Sequence, residues 1–248
     1  MAKTIVEIND VSLTYHETNG ETQAIDHLRF SVERGEFVSI VGPSGCGKTS
    51  ILSLLAGLLQ PSAGNIYIEG RPGYMLQRDH LLDWRTIEGN ILLGLQVKGL
   101  LNERTRAYAL SLLKTYGLYD FLHSYPHQLS GGMRQKVALI RTLACSPELL
   151  LLDEPFSALD YQTRLTVADE IYGILRREGK TAILVTHDIA EAISMSDRVL
   201  VFTGRPARLK SEHRIALGDR TPLKRRNAPE FKEYFDTIWK ELDCYAQI

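Results

Sequence analysis

The segment GPSGCGKTS at residues 42–50 crowds three glycines, a lysine and hydroxyl side chains directly behind the apolar run EFVSIV. Gly42, Gly47, Lys48 and Thr49 fit the spacing G-x4-G-K-T of a phosphate-binding loop. Gly42, Pro43, Ser44, Gly45, Cys46 and Gly47 would form the curl, and its glycines let several N–H groups point at one anion. A helix starting near Lys48 adds the positive end of its dipole. Lys48 supplies a point charge for the β- and γ-phosphates, and Thr49 offers its hydroxyl to Mg²⁺. Ser50 is placed to bond a phosphate oxygen.

Such a loop needs a carboxylate for its metal, and LLLLDEP at 149–155 carries two acids at the end of an apolar run. Asp153 is the expected Mg²⁺ holder. Glu154, one residue further and on the opposite face of an extended chain, is the expected general base for an attacking water. Two carboxylates beside a polyphosphate are tolerable because Lys48 and a divalent ion offset their charge. The plainer reading is an acidic strand end that caps the next helix. His187 closes another apolar run, AILVT, and ligands of parallel α/β sheets gather at the carboxyl ends of strands. It is expected to reach the γ-phosphate and hold the water or Glu154 in line; its plainer reading is structural.

These residues need elements to carry them. TIVEINDVSLTY alternates and reads as a strand or a strand pair. AIDHLRFSVERGEFVSIV reads as two strands with a turn at Arg34-Gly35. KTSILSLLAGLL has helical spacing and is expected to stop near Gln60-Pro61. AGNIYIEG and GYMLQ read as short strands. From about residue 78 to 127 the pattern turns helical, clearest in ERTRAYALSLLKTYGL with a stop at Gly117. LSGGMRQKVALIRTLACSP and RLTVADEIYGILRRE continue as helices around the LLLLDEP strand, and TAILVTHD reads as another strand. Strands alternating with helices imply an α/β core with a parallel sheet. The polar end carries LKRR at 223–226, read as a solvated linker with contact to anionic lipid as the alternative. PEFKEYFDTIWKELD reads as an amphipathic helix packed on the domain through Phe231, Phe235, Ile238 and Trp239.

The bulk numbers bound the function. A chain of 248 residues with 44% apolar and 24% charged residues is a globular protein with ample core. Its formal net charge of −1 argues against a dedicated nucleic-acid binder. Cys46, Cys145 and Cys244 are isolated, without metal-ligand or disulfide spacing, and fit a reducing compartment. No segment reads as a secretory signal or a membrane span, so work at a membrane requires a separate partner.

At LSGGMRQKVALIRTLACSPELLLLDEPFSALD the chain resembles the nucleotide-binding subunit of an ABC transporter, in particular the ATPases of nitrate/sulfonate/taurine importers. The resemblance covers essentially the whole chain, with its motifs in the family's order. It implies one ABC ATPase domain over residues 1–248: a P-loop NTPase α/β core with a parallel sheet, an antiparallel β subdomain, a helical subdomain at about 78–146 and a C-terminal extension at about 205–248. It implies ATP and Mg²⁺ as ligands and a homodimer that sandwiches two ATP molecules. Ser130, Gly131 and Gly132 would meet the γ-phosphate held by the other copy, with Asp160 at the seam. Tyr15 would stack on adenine, or else is a half-buried strand tyrosine. Gln77 would reach Mg²⁺ or the water. Integral-membrane permease subunits would dock on the helical block at the cytoplasmic face, with an extracytoplasmic substrate-binding protein beyond them; the solute stays open. The alternative is a soluble ABC-type ATPase acting on nucleic acid or ribosomes. Two departures stand out: only Arg71-Pro72 separates NIYIEG from GYMLQ, and Asp83 stands where proline is usual. A bulky thiol reagent on Cys46 is expected to obstruct phosphate binding.

Overall fold

A computed structural model describes residues 3–17, 20–218 and 220–243. Cys244 lies outside the described residues. β1 (Thr4–Glu17) and β2 (Gly20–Glu33) pair antiparallel. TIVEINDVSLTY is thus part of one long strand, its register shifted at irregularities between Ile8 and Val11 and again before Thr14. β3 (Phe37–Val41) follows the turn at Arg34-Gly35 but enters a different sheet, and all its residues are buried. α1 (Lys48–Leu55) ends earlier than expected. Gly57, at φ 72°, takes the left-handed conformation that closes a helix, with Gly57 N–H on Leu54 O and Leu58 N–H on Ser53 O. β4 (Ala63–Ile68) returns to β1 and completes a three-stranded sheet in the order β2-β1-β4.

β5 (Pro72–Met75) opens the second sheet. α2 (Ile87–Val97), α3 (Glu103–Thr115) and α4 (Gly131–Ala144) then form the helical block. β6 (Leu149–Asp153), α5 (Tyr161–Arg177) and β7 (Thr181–Val185) resume the alternation. α6 (Ile189–Met195) and β8 (Arg198–Phe202) follow, although the sequence reading assigned neither. β9 (Leu209–Arg214), α7 (Pro222–Arg226) and α8 (Phe231–Asp243) close the described chain. The sheet has six strands in the order β5-β6-β7-β3-β8-β9, parallel except for β9 at the edge.

Burial on both faces explains the apolar runs of β3, β6 and β7. Along β6, Leu149 and Leu151 enter the core shared with α1 and the antiparallel sheet, whereas Leu150 and Leu152 enter the core shared with the helical block and α5. Each fully buried leucine contributes about 2 kcal/mol. Those two cores fix where β6 and β7 end, and therefore where Glu154 and His187 emerge from the core.

The polar end is more ordered than a linker. Arg225 of LKRR is buried, donates to the carbonyls of Ser196 and Gly218, and lies over the Tyr172 ring. The charge is carried inward because carbonyls and an aromatic face replace its water. α8 packs as its pattern predicts: Ile238 is fully buried and Phe231 and Phe235 rest on the α6–β8 cluster. Trp239 stays half exposed, stacked on Phe235 at 5.9 Å.

Candidate functional site

The loop between β3 and α1 has the curled form its glycines suggest. Gly47, the N-cap of α1, sits at φ 118°, and no side chain caps the helix. A residue with a Cβ would be strained there and would press on the Ala24 carbonyl at 3.0 Å. The first amides of α1 are therefore left for a ligand. Lys48 folds back over the loop, its Nζ donating to Gly42 O at 2.8 Å and Pro43 O at 2.9 Å.

An open cleft of about 860 Å³ lies over this turn. Of the expected residues, Tyr15, Ser44, Gly45, Gly47, Lys48, Thr49, Ser50, Glu154 and His187 line it, joined by Thr22, Ala24 and Arg205. Tyr15 is half-buried on β1, and its hydroxyl meets Ser50 Oγ at 2.9 Å. Gly42, Pro43 and Cys46 belong to the loop without lining the cleft. Cys46 points into the core, 1% exposed, and burial pushes its thiol up. The expected block of phosphate binding by a thiol reagent is thus corrected: the thiol is shielded beneath the loop, not presented at its mouth.

The acids sit where β6 stops. Burial pushes the Asp153 carboxyl up, against hydrogen bonds from Tyr74 and Thr49 and with Glu154's charge adding to the rise. Tyr74 Oη donates to Asp153 Oδ2 at 3.1 Å. Glu154 does not continue the strand onto the opposite face, as the sequence reading had it. Its φ is 42°, an unusual left-handed position for a side chain of this size, and its N–H donates to Val185 O at 2.8 Å. That kink turns the carboxylate toward the next strand's end. Glu154 Oε2 accepts from Gln77 Nε2 at 3.2 Å and lies 3.1 Å from His187 Nδ1. The short Arg71-Pro72 connection therefore still delivers Gln77 to the acid. Asp83 occupies the second position of a turn closed by Arg85 N–H on Leu82 O, a position that also suits proline.

The remaining expected residues lie elsewhere. Ser130 caps α4, accepting from Met133 N, and Gly131 and Gly132 begin that helix. Ser130 and Gly132 line a separate surface hollow of about 370 Å³, with Met133, Lys136 and Thr163. Asp160 is exposed and caps α5, accepting from Thr163 N at 3.1 Å, and hydrogen bonding from the Thr163 side chain, then from its backbone, holds the carboxyl below the usual range. Neither Ser130, Gly132 nor Asp160 lines the cleft. Tyr74 and Arg205 escaped the sequence reading, because their contacts join segments far apart in the chain.

The ABC transporter family profile matches residues 25–157. The chain belongs to the ABC transporter family, as an ATP-binding subunit. It is 47% identical over 248 residues to the uncharacterized ABC transporter ATP-binding protein YtlC of Bacillus subtilis (strain 168), covering 96% of this chain and 95% of the relative. It is 37% identical over 247 residues to the nitrate import ATP-binding protein NrtD of Synechocystis, covering 94% and 93%. Its fold matches the dimeric post-hydrolysis structure of the ATP-binding cassette MJ0796 bound to ADP and Pi, with a TM-score of 0.73, 30% identity and coverage of 86% of this chain and 99% of that one. The ABC subunit is thus an ATPase with a P-loop NTPase core, a parallel sheet and an antiparallel β layer. None of its described helices is long and apolar enough to cross a membrane.

Proposed function

We propose that the chain energises an importer of the nitrate/sulfonate/taurine type by hydrolysing ATP in this cleft, as one of two copies. Tyr15 holds the adenine end, and the loop of residues 42–48 with Ser50 holds the phosphates. The Thr49 hydroxyl and the Asp153 carboxylate are a fitting donor set for Mg²⁺, a hard ion that takes the rest of its shell from phosphate and water. Burial of Asp153 fits the same reading, since its ionised form gains from a neighbouring cation. Bound there, Mg²⁺ would neutralise charge on the transferring phosphate.

Glu154 is the general base. Its Oε2 is shared by His187 and Gln77, so Oε1 is the oxygen that takes the proton of the attacking water. His187 orients that carboxylate and turns its own exposed ring toward the γ-phosphate. Gln77 links the base to the helical block, a subdomain at about 78–146 on which the permease subunits dock at the cytoplasmic face. Ser130, Gly131 and Gly132 of one copy close the cleft of the other, with Asp160 at the seam. The longest described helix, α5, has 17 residues, too short for the coiled-coil arm that a cassette acting on nucleic acid or ribosomes typically carries.

The carrying observation is Glu154, turned out of its strand and held by His187 and Gln77 at the edge of the Lys48–Thr49 cleft. Glu154→Gln should lower ATP turnover roughly a thousandfold with ATP still bound. Turnover within about twofold of wild type would remove Glu154 from its role. A chromosomal Lys48→Ala strain should lose uptake of nitrate, taurine or an alkanesulfonate; undiminished uptake of all three sinks the importer class.

A further inference from the structure

The turn between β8 and β9 reaches across the molecule to the phosphate loop. Ala207 N–H donates to Ala24 O at 2.8 Å, and Asp26 N–H donates back to Ala207 O at 3.1 Å, so the turn is stitched to β2. Arg208 Nε donates to the buried Asp26 Oδ2 at 2.7 Å, and Gln23 Nε2 holds the other oxygen at 2.9 Å. Thr203 Oγ1 spans the turn, donating to Pro206 O at 3.0 Å and accepting from Arg208 N at 2.9 Å. This braced turn presents one side chain to the cleft, Arg205.

The Arg205 guanidinium grips the outer turn of the loop: Nε and Nη2 donate to Gly45 O at 3.3 and 3.1 Å. Within a single peptide plane, a carbonyl and the following N–H point in opposite directions. Holding Gly45 O outward therefore keeps the Cys46 N–H turned into the loop, where it donates to Pro43 O at 3.3 Å. Among the residues lining the cleft, Lys48 and Arg205 are the two permanent cations. A nucleoside polyphosphate carries several negative charges, and Glu154 at the same cleft works against it.

We propose that Arg205 is a nucleotide-binding residue of this cleft: it sets the outer turn of the phosphate loop through Gly45 and supplies the second positive charge that a polyphosphate meets there. The proposal rests on the placement of ATP in the cleft. Arginine suits both tasks, since its fork can hold a carbonyl while its charge stays delocalised toward the ligand. Lysine would keep the charge but lose the fork.

The test is equilibrium titration of the full chain with ATP at low and high salt, using wild type, Arg205→Gln, Arg205→Lys and Lys48→Ala. Arg205→Gln should weaken ATP binding about tenfold, Arg205→Lys about threefold, and Arg205→Gln should show a shallower salt dependence. In turnover the loss should fall on KM more than on kcat. Arg205→Gln binding ATP within about twofold of wild type, beside a Lys48→Ala chain that fails to bind, would overturn the role of Arg205 alone. Equal losses in Arg205→Gln and Arg205→Lys with an unchanged salt slope would overturn the charge assignment. A Lys48→Ala chain that binds ATP normally would instead overturn the placement of nucleotide, and this proposal with it.

Discussion

Two helices of this molecule begin with glycine-rich turns, and they are finished differently. α1 starts at Gly47 with no side-chain cap, inside a cleft whose walls already hold a lysine, a glutamate and a histidine. α4 starts at Ser130, capped through Met133, over a smaller hollow lined by residues of α4 and α5 with no cleft residue among them. Both are helix N-termini that favour an anion. One lies beside Glu154 and His187 of the same chain, and the other lies beside the Lys136–Glu170 ion pair and none of the cleft residues. This difference fits the proposed reading, in which the two ends are halves of one site shared between two copies.

The comparison breaks most directly at Lys48. Lys48→Ala removes the buried cation of the complete half, and ATP turnover should fall by roughly a thousandfold or more, with ATP binding lost in an equilibrium titration. Ser130→Arg tests the other half. A bulky cation at the α4 cap should cut turnover about a hundredfold while a single copy still binds ATP within about twofold, measured by titration at low protein concentration. Equal loss of binding in both variants would mean that the two helix ends serve one cleft within one chain.

A smaller effect separates the acids of the two halves. Asp153 is held buried at a cost, whereas Asp160 is exposed and settled by its own cap, and a third acid, outside both hollows, is costlier still. Glu191 of α6, four residues beyond His187, is buried and accepts from Thr186 Oγ1 at 2.6 Å, with its Oε1 unpartnered. Burial pushes its carboxyl from 4.5 up to about 7; the Thr186 bond and the nearby Arg164 and Arg226 oppose the rise, and Asp188 adds to it. The folded chain therefore holds this proton more tightly than the unfolded chain. The stability this contributes is fully present below 4.5 and is lost as pH rises through about 7. Glu191→Gln keeps an acceptor for Thr186 and removes the charge. Thermal melts across pH should show the variant more stable above about pH 8, by on the order of 2 kcal/mol, with the gap closing toward about pH 5. A gap independent of pH would mean that Glu191 does not titrate in the fold.

Much of this site was legible in the sequence, because its chemistry is local. The phosphate loop is one turn, and its residues are contiguous. Asp153 and His187 announce themselves by closing apolar runs that only buried parallel strands would carry. The less legible parts are those made by long-range contact. Tyr74 meets Asp153 across 79 positions and Arg205 meets Gly45 across 160, and neither spacing leaves a local pattern. Glu154 misled for a different reason: strand alternation assigns it a face, but β6 ends one residue earlier and a left-handed kink redirects it. LKRR misled because charge usually means solvent, whereas the carbonyls of Ser196 and Gly218 give Arg225 a substitute for water. Gly57 outranked Gln60-Pro61 as the end of α1 because a glycine closes a helix before a downstream proline can stop it.

The central claim is that the two helix ends meet only across a pair of chains. Sedimentation velocity of the Glu154→Gln chain at saturating ATP with Mg²⁺ reads this directly. The expected result is a dimer that dissociates when ADP replaces ATP and does not form when Ser130→Arg is added. A chain that stays monomeric with ATP bound, or a dimer that forms equally well with Ser130→Arg, would contradict it.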